Sequence, residues 1–502
     1  MDEELLVGID IGTSSAKIAV FNHAGAVVEQ DTGEYPTYYP APGWAEQDPQ
    51  DWWQVVCAAL QRIAARKKIK LEAIKGIGID GQSWSAIPMG ADGTVLGRTP
   101  IWMDTRAQEI CDRVRQTIGE ERIFAVSGNA FYPTYSLPKI LWLKENAPDT
   151  FAKTAQFLQS NSYLVYQLTG QYSQDLSQSY GLHFFNMQTG AYDAQLCADF
   201  GLSLALFPPL YQCDDVVGTV TPAAAAQTGL PAGIPVVAGG LDAACGALGV
   251  GVINAGQTQE QGGQAGGMSV CLDDYHADAR LILSRHVVAD KWLLQGGTVG
   301  GAGVARWFLR TLGQAETDAA ANNGTNAYHE LDITARDTPA GANGLLFLPY
   351  MAGERSPIWN AQAKGVYYGL DFAKTRGEII RASYEGVAYS LAHNLKVAEA
   401  AGVQIDDLYA MGGAANSAFW MQIKADVTQR TIQIPAADHA TTLGAALLAG
   451  VAVGMYPSYQ AAVGALIQVK QTYHPRPETK AVYENGFNQY LALYDALKPM
   501  MV

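Results

Sequence analysis

The sequence predicts an α/β protein of two large domains. Three observations carry that prediction: short apolar runs alternate with helical patterns along the whole chain, glycine-rich turns punctuate them, and 502 residues exceed what one ordinary core organises. Charged residues make up only 16% and hydrophobic ones 48%, so apolar surface for large cores is ample and no disordered composition is present. The net charge of −15 argues against a nucleic-acid groove, which needs clustered Lys and Arg. There are 52 glycines, spread through apolar segments rather than gathered in a linker. An acidic, glycine-rich chain can still bind phosphate through backbone N–H groups and a metal ion.

Leu5 to Asp10, Ala16 to Phe21 and Ala26 to Gln30 read as three consecutive short strands joined by tight turns. Asp48 and Pro49 follow as N-cap and first residue of a helix whose apolar face carries Trp52, Val55, Val56 and Leu60. Leu71 to Ile79 reads as a strand, and Ser136 to Asn146 as a helix with Ile140, Leu141 and Leu143 apolar. Gly233 to Ile253 has the length of a membrane span but holds six glycines and Asp242. A carboxylate there would cost ~2.5–3.5 kcal/mol on insertion, so it reads as strand, tight turn and helix. The longest helix is expected from about Thr375 to Ala400, where Ile380, Val387, Leu391 and Leu395 recur at helical spacing. Each half of the chain carries an apolar strand feeding a glycine turn, and the two turns could face one cleft.

Six widely separated cysteines without a C-x-x-C pair, and an acidic start, MDEELLVGID, where a signal peptide is basic, point to a cytoplasmic protein with reduced thiols. The histidines, among them His183, His276 and His286, show no metal-ligand spacing and read as surface or satisfied core residues.

Four glycine turns carry the chemistry. In Gly8-Ile9-Asp10-Ile11-Gly12-Thr13-Ser14-Ser15-Ala16-Lys17 the glycine bends the chain, Thr13 to Ser15 offer N–H and hydroxyl groups, and Asp10 could hold hydrated Mg2+. No G-x-x-x-x-G-K-[ST] loop is present, and taken alone the segment is equally an ordinary hairpin turn. In Gly239-Gly240-Leu241-Asp242-Ala243-Ala244, Asp242 is either an N-cap or a carboxylate that accepts a hydroxyl proton at a cleft mouth. Gly412 and Gly413 within Tyr409 to Ser417, and Gly296 to Gly303, allow close approach of a flat or phosphorylated ligand, or simply helix packing on a sheet. Trp84 and Trp102 are core aromatics or sugar-stacking rings, and Asp104 with Arg106 is a salt bridge or a polyol contact.

Gly365 to Glu385 (GVYYGLDFAKTRGEIIRASYE), with Tyr367, Gly369, Leu370, Glu378, Ile379, Ser383 and Glu385, matches throughout the second signature of the FGGY carbohydrate kinases. Ser136 to Glu145 matches the first, with Thr134 as the departure. The chain thus resembles this family from Leu6 to about Gly450, and Gly43-Trp44-Ala45-Glu46-Gln47-Asp48-Pro49 and Ser127-Gly128-Asn129 resemble its xylulokinases. The resemblance implies an actin/hexokinase/Hsp70-like (ribonuclease H-like) fold with ATP and a sugar in the interdomain cleft. It implies a sugar-binding, base-carrying domain over residues 1–247, a nucleotide-binding domain over residues 248–502, and phosphorylation of a primary hydroxyl, with xylulose first among ketoses, polyols and aldonates. Asp242 is then the catalytic base and Asp10 the metal-associated carboxylate. Thr13, Ser14 and Lys17 face the phosphates; Gln264, Gly301, Gly412, Gly413 and Asn416 meet the nucleotide; Gln82, Ser83, Trp84, Trp102, Asp104 and Arg106 shape the sugar pocket.

Two departures from the family pattern stand out. Gln82-Ser83-Trp84-Ser85 replaces the Gln-Met-His-Gly usual in xylulokinases, exchanging a polar sugar contact for an indole, and Gly263-Gln264-Ala265-Gly266 replaces a Gly-Thr-Ser or Gly-Thr-Gly loop. The rival readings are a degenerate kinase, which Gln264 favours, and a non-catalytic ATP-clamping regulator or chaperone. The few residues before the first strand and after Gly450 leave the latter without a DNA-binding or peptide-binding module. Expected partners are a small sugar or polyol and ATP, with neither nucleic acid nor membrane. A homodimer is left open, because the sequence is silent on oligomeric state.

Overall fold

The computed structural model describes residues 4–436 and 439–501, so Met1 to Glu3 of the acidic start lie outside the described residues. Leu5–Ile11 and Ser15–Asn22 form an antiparallel hairpin, and Val27–Glu34 extends it. Every residue of Leu5–Ile11 is buried, and fully burying a Val, Leu or Ile side chain contributes ~1.5–3 kcal/mol. The third strand runs beyond the expected Gln30 because Ser15–Asn22 offers pairing as far as Glu34. The helix Pro49–Arg66 starts as expected, with Asp48 accepting from Gln50 N–H. The next strand starts later than expected. Leu71–Ala73 is a single 3-10 turn and the strand is Ile74–Gly81, because its parallel partner begins at Leu5, opposite Ile74, and offers residues 71–73 no edge.

The first sheet has seven strands, with Val216–Thr219, Pro235–Val237 and Gly240–Leu241 completing it beside Ile74–Gly81. The second sheet repeats the plan. Thr258–Gly262 pairs antiparallel with Gly266–Leu272 and parallel with Leu408–Met411, as Leu5–Ile11 does with Ser15–Asn22 and Ile74–Gly81. The coarse likeness between the two halves of the sequence is therefore a likeness of sheet topology.

Gly233 to Ile253 folds as read: strand Pro235–Val237, a turn, Gly240–Leu241, then helix Asp242–Gly249. Residues 247 and 248, the expected domain junction, fall in the last turn of this helix. Among the described residues no helix is long and apolar enough to cross a membrane. The helix Ser136–Asn146 has the expected bounds, and Arg376–Ala400 carries a capping box in which Glu378 accepts from Thr375 N–H at 2.7 Å.

One packing arrangement was not legible in advance. The helix Ala440–Ala452, late in the chain, lies against Leu5–Ile11, Ile74–Gly81 and the helix Asp242–Gly249. A Cβ at Gly8 would come within 1.9 Å of the Thr442 carbonyl oxygen, and one at Gly78 within 1.8 Å of that of Ala445. Part of the glycine surplus thus serves backbone-to-backbone packing rather than turns, and it holds strand ends and helix starts against one cleft.

Candidate active site

The chain order of the first sheet brings three carboxylates together. Asp10 and Asp80 are register partners near the ends of adjacent parallel strands. Gly240–Leu241 pairs with Asp80 and Gly81, and Asp242 follows immediately as the first residue of its helix. Lys17, directly across the hairpin from Asp10, sets its Nζ 3.2 Å from Asp10 Oδ2.

Burial pushes the Asp242 carboxyl up to about 7; Asp10 adds repulsion, while the Ala243 N–H, at 2.6 Å, and Lys17 pull the other way. Asp80 is fully buried with both oxygens unpartnered, and burial, Asp10 and then Asp242 hold it well above the usual carboxylate range. Asp10 raises the Lys17 ammonium above its ordinary value. Two of the three carboxyls, Asp10 and Asp242, line the cleft with Lys17 the only basic residue beside them among the described residues, a setting that suits a divalent cation. No group of three or more His, Cys, Asp or Glu among the described residues is spaced to ligate a metal directly, so the arrangement fits an ion held by Asp10 through water.

These groups wall a cavity of about 320 Å3 that the second sheet closes from the opposite side. Asp10, Gly12, Lys17 and Asp242 face Gln261, Gly262, Gly263, Gln264 and Gly412. The hairpin turn Gly262 to Gly266 is docked on the next helix: Ala302 N–H donates to Gly263 O at 2.8 Å and Gly303 N–H to Gln264 O at 3.1 Å. Gly301 lies so close beneath that its Cβ would be 2.3 Å from the Ala265 carbonyl carbon. Gly412 takes a φ of 89°, which suits glycine.

Two further cavities adjoin this one. Beyond Gly412, a space of about 420 Å3 is lined by Gly413 and Asn416 with Arg306, Tyr328, His329 and Asp332. On the other side Gln264 and Ala265 also wall a space of about 640 Å3, which Trp84, Trp102, Tyr132, Thr134, Glu354 and Arg355 enclose. The Asp242 cavity lies between the other two: Gln264 and Ala265 wall both it and the larger space, and Gly412 on its lining is followed directly by Gly413 on that of the third.

Asp10, Lys17, Asp242, Gln264, Gly412, Gly413, Asn416, Trp84 and Trp102 each line one of these cavities. The other expected residues do not line them. The Thr13 carbonyl accepts from Gln47 Nε2 at 2.6 Å and its hydroxyl from Trp102 Nε1 at 3.0 Å, while Ser14 is exposed. Gln82 is buried and donates to Gln47 Oε1 at 2.7 Å, and Ser83 accepts from the Tyr180 hydroxyl at 3.4 Å. Asp104 and Arg106 are committed to one another at 2.7 Å, with Arg106 also 2.8 Å from Glu46 and stacked over Trp44. Here the salt-bridge alternative describes the geometry, and the pair fixes the Trp102 segment from behind. His183 and His286 are buried and hydrogen-bonded to Ala130 O and Val252 O.

Sequence reasoning missed Asp80, Glu354 and Arg355. A signal for Asp80 was present: Gly78-Ile79-Asp80-Gly81 repeats the Gly8-Ile9-Asp10 pattern on a strand. Glu354 accepts from the Val299 and Arg355 N–H groups at 2.7 and 2.8 Å, and burial still pushes it up to about 7.

Residues 5–249 match the FGGY family of carbohydrate kinases, N-terminal domain, and residues 278–453 the C-terminal domain of the same family. A xylulose kinase of Staphylococcus epidermidis is 30% identical over 100% of this chain and 98% of its own. A gluconokinase of Bacillus licheniformis is 27% identical over 98% and 96%. The crystal structure of xylulose kinase from Rhodospirillum rubrum superposes with a TM-score of 0.90 at 29% identity, covering 99% of this chain and 100% of that one.

Proposed function

Because the chain belongs to the FGGY family of carbohydrate kinases, we propose that it transfers the γ-phosphoryl group of ATP to the primary hydroxyl of D-xylulose, giving D-xylulose 5-phosphate and ADP. The observation that carries this reading is the row of three neighbouring cavities with Asp242 on the wall of the middle one. The nucleoside occupies the Asn416 end, the phosphates cross Gly412 toward Lys17, and the sugar enters between Trp84 and Trp102. The division of labour follows the proposed boundary, residues 1–247 for sugar and base and 248–502 for nucleotide.

Phosphoryl transfer asks the protein for position and charge rather than covalent chemistry. The Asp242 carboxylate accepts the proton of the sugar hydroxyl as its oxygen attacks the γ-phosphorus. The new O–P bond forms as the bond to the β-phosphate oxygen breaks, and ADP leaves. A carboxyl titrating at about 7 suits this work, because about half of it is ionised at neutral pH and it is basic enough to take the proton. Lys17 and the backbone of Gly263 to Ala265 face the phosphoryl oxygens, with the Gln264 amide taking the place that a hydroxyl has in the family's usual loop. Hydrated Mg2+ beside Asp10 would supply charge neutralisation for those oxygens when bound. The working location is the cytoplasm, and a homodimer is the proposed assembly.

A second acceptor class has a specific observation behind it. Arg355 lines the sugar cavity with its buried Nε unpartnered, a donor that suits an aldonate carboxylate as well as a ketose carbonyl. An ADP-coupled assay over D-xylulose, D-ribulose, D-gluconate, xylitol and glycerol tests the proposal. The highest kcat/KM is expected for D-xylulose. A preference for gluconate would transfer the reading to aldonates, and ATP turnover that no sugar stimulates would refute it.

A further inference from the structure

Lys139 is 1% exposed on the helix Ser136–Asn146, and its ammonium has two main-chain partners: the carbonyl of Trp84 at 2.9 Å and that of Ile101 at 2.7 Å. No ion pair to Lys139 is present among the described residues. The facing carboxylate, Asp104, gives its oxygens to Arg106 and to the Ala45 N–H. A buried ammonium without a paired carboxylate is unfavourable, and an apolar side chain of similar length would fill the same space. What the charge holds therefore matters more than the space it fills.

It holds the roots of two indoles. Trp84 has a φ of 63°, in the left-handed region that a bulky L-residue rarely adopts, so its backbone must be restrained from outside. Its ring packs on Tyr135 at 4.3 Å and lines the proposed sugar cavity. Ile101 immediately precedes Trp102, which lines the same cavity and donates to Thr13 Oγ1 in the phosphate turn at 3.0 Å. One ammonium thus ties the main chain beneath both aromatic walls to a single helix.

We propose that Lys139 is a positioning residue for the sugar: by clamping the Trp84 and Ile101 carbonyls it sets the separation of the two indole walls, and with it the affinity for the acceptor. This rests on the reading of that cavity as the acceptor site.

Charge strengthens the clamp, since hydrogen bonds from an ionised donor are roughly twice as strong as neutral ones. Burial pulls Lys139 down to about 7, Asp104 opposing and Arg106 assisting. Around it, Glu109 and Asp112 on the helix Gln108–Val114 and Asp149 and Lys153 on Pro148–Lys153 are at the surface. Cys111, Tyr180 and His183 are buried, and burial holds all three uncharged between pH 6 and 9. Raising the pH through that range converts the ammonium to an amine and loosens the clamp.

The test uses the full chain with D-xylulose and ATP. K139M is expected to raise the sugar KM about tenfold or more, with the ATP KM within about twofold and a smaller fall in kcat. K139R, which keeps a permanent charge and two donors, is expected to recover most of that loss. From pH 6 to 9 the wild-type sugar KM should rise severalfold more than that of K139R, since Glu354 and Asp242, which also titrate near 7, act alike in both. This comparison decides the matter if K139M does not fold. A K139M enzyme with wild-type sugar KM, an equal loss in the KM of both substrates, or a wild-type sugar KM that rises with pH no more than that of K139R would overturn the proposal. Absence of sugar turnover by the wild type would instead overturn the acceptor-site reading beneath it.

Discussion

On the side of the first sheet, the central cavity is walled by ionisable groups at strand ends, Asp10, Lys17 and Asp242, with Asp80 behind them. On the side of the second sheet it is walled by Gly262, Gly263, Gln264 and Gly412, which carry no charge. The second sheet does contain a strand-borne carboxylate close by, Glu260, but the buried ammonium of Lys424 pairs with it. Two sheets of like topology thus treat charge oppositely, one leaving carboxylates clustered at the cleft and the other neutralising its own internally. Under the proposed function, side chains of the first lobe would do the chemistry and the main-chain shape of the second would do the holding.

The contrast can be broken at either lobe. The largest effect is expected from Asp242→Asn, which removes the base and keeps the volume: kcat should fall by ~10²–10⁴, with ATP affinity changed only severalfold in a calorimetric titration. A fall confined to ATP affinity would place Asp242 in binding instead. Gly301→Val attacks the other lobe, pressing the new side chain into the Ala265 backbone. Displacing the Gly262 to Gly266 turn should raise the ATP KM by roughly 10- to 100-fold, the scale of a misplacement near 1 Å, and leave the sugar KM nearly unchanged.

Acidity acts on the first lobe alone. The Asp242 carboxyl is raised from its ordinary 3.8 to about 7, so its protonated, inactive form accumulates as pH falls through 7. The rate kcat should drop about tenfold per unit below that point and level off above it. A profile level down to pH 5 would show that the base is not Asp242. The smallest effect is expected from Gln264→Thr, which restores the family's usual residue. If the turn works through its main chain, one side-chain hydrogen bond of ~0.5–1.5 kcal/mol is at stake, and kcat should change by less than about tenfold.

The same contrast decided what could be read in the sequence. Local signals were legible: the cap at Asp48, the Gly-Gly turn before Asp242 and the helical period of residues 376–400 each depend on neighbours in the chain. Asp10, Asp242 and Gly412, expected from strand-then-glycine patterns and the family resemblance, do line the central cavity. What escaped depends on partners remote in sequence. Asp80 becomes part of the site through its register with Asp10, and Gly8 and Gly78 take their packing role from a helix more than 350 residues later in the chain. Asp104 and Arg106 show the converse case, in which two readings stood open. Their residue types suit a polyol, but Asp104 accepts from Arg106 and the Ala45 N–H, and Arg106 also pairs with Glu46.

The most direct test of a charged, catalytic first lobe acting on a sugar held beside it is phosphorus NMR of one reaction containing MgATP and D-xylulose, run with the wild type and with Asp242→Asn. The wild type should form one sugar phosphomonoester per ADP with little inorganic phosphate, and the variant should leave ATP intact over the same time. Formation of ADP and inorganic phosphate without sugar phosphate, or equal ester formation by the variant, would contradict it.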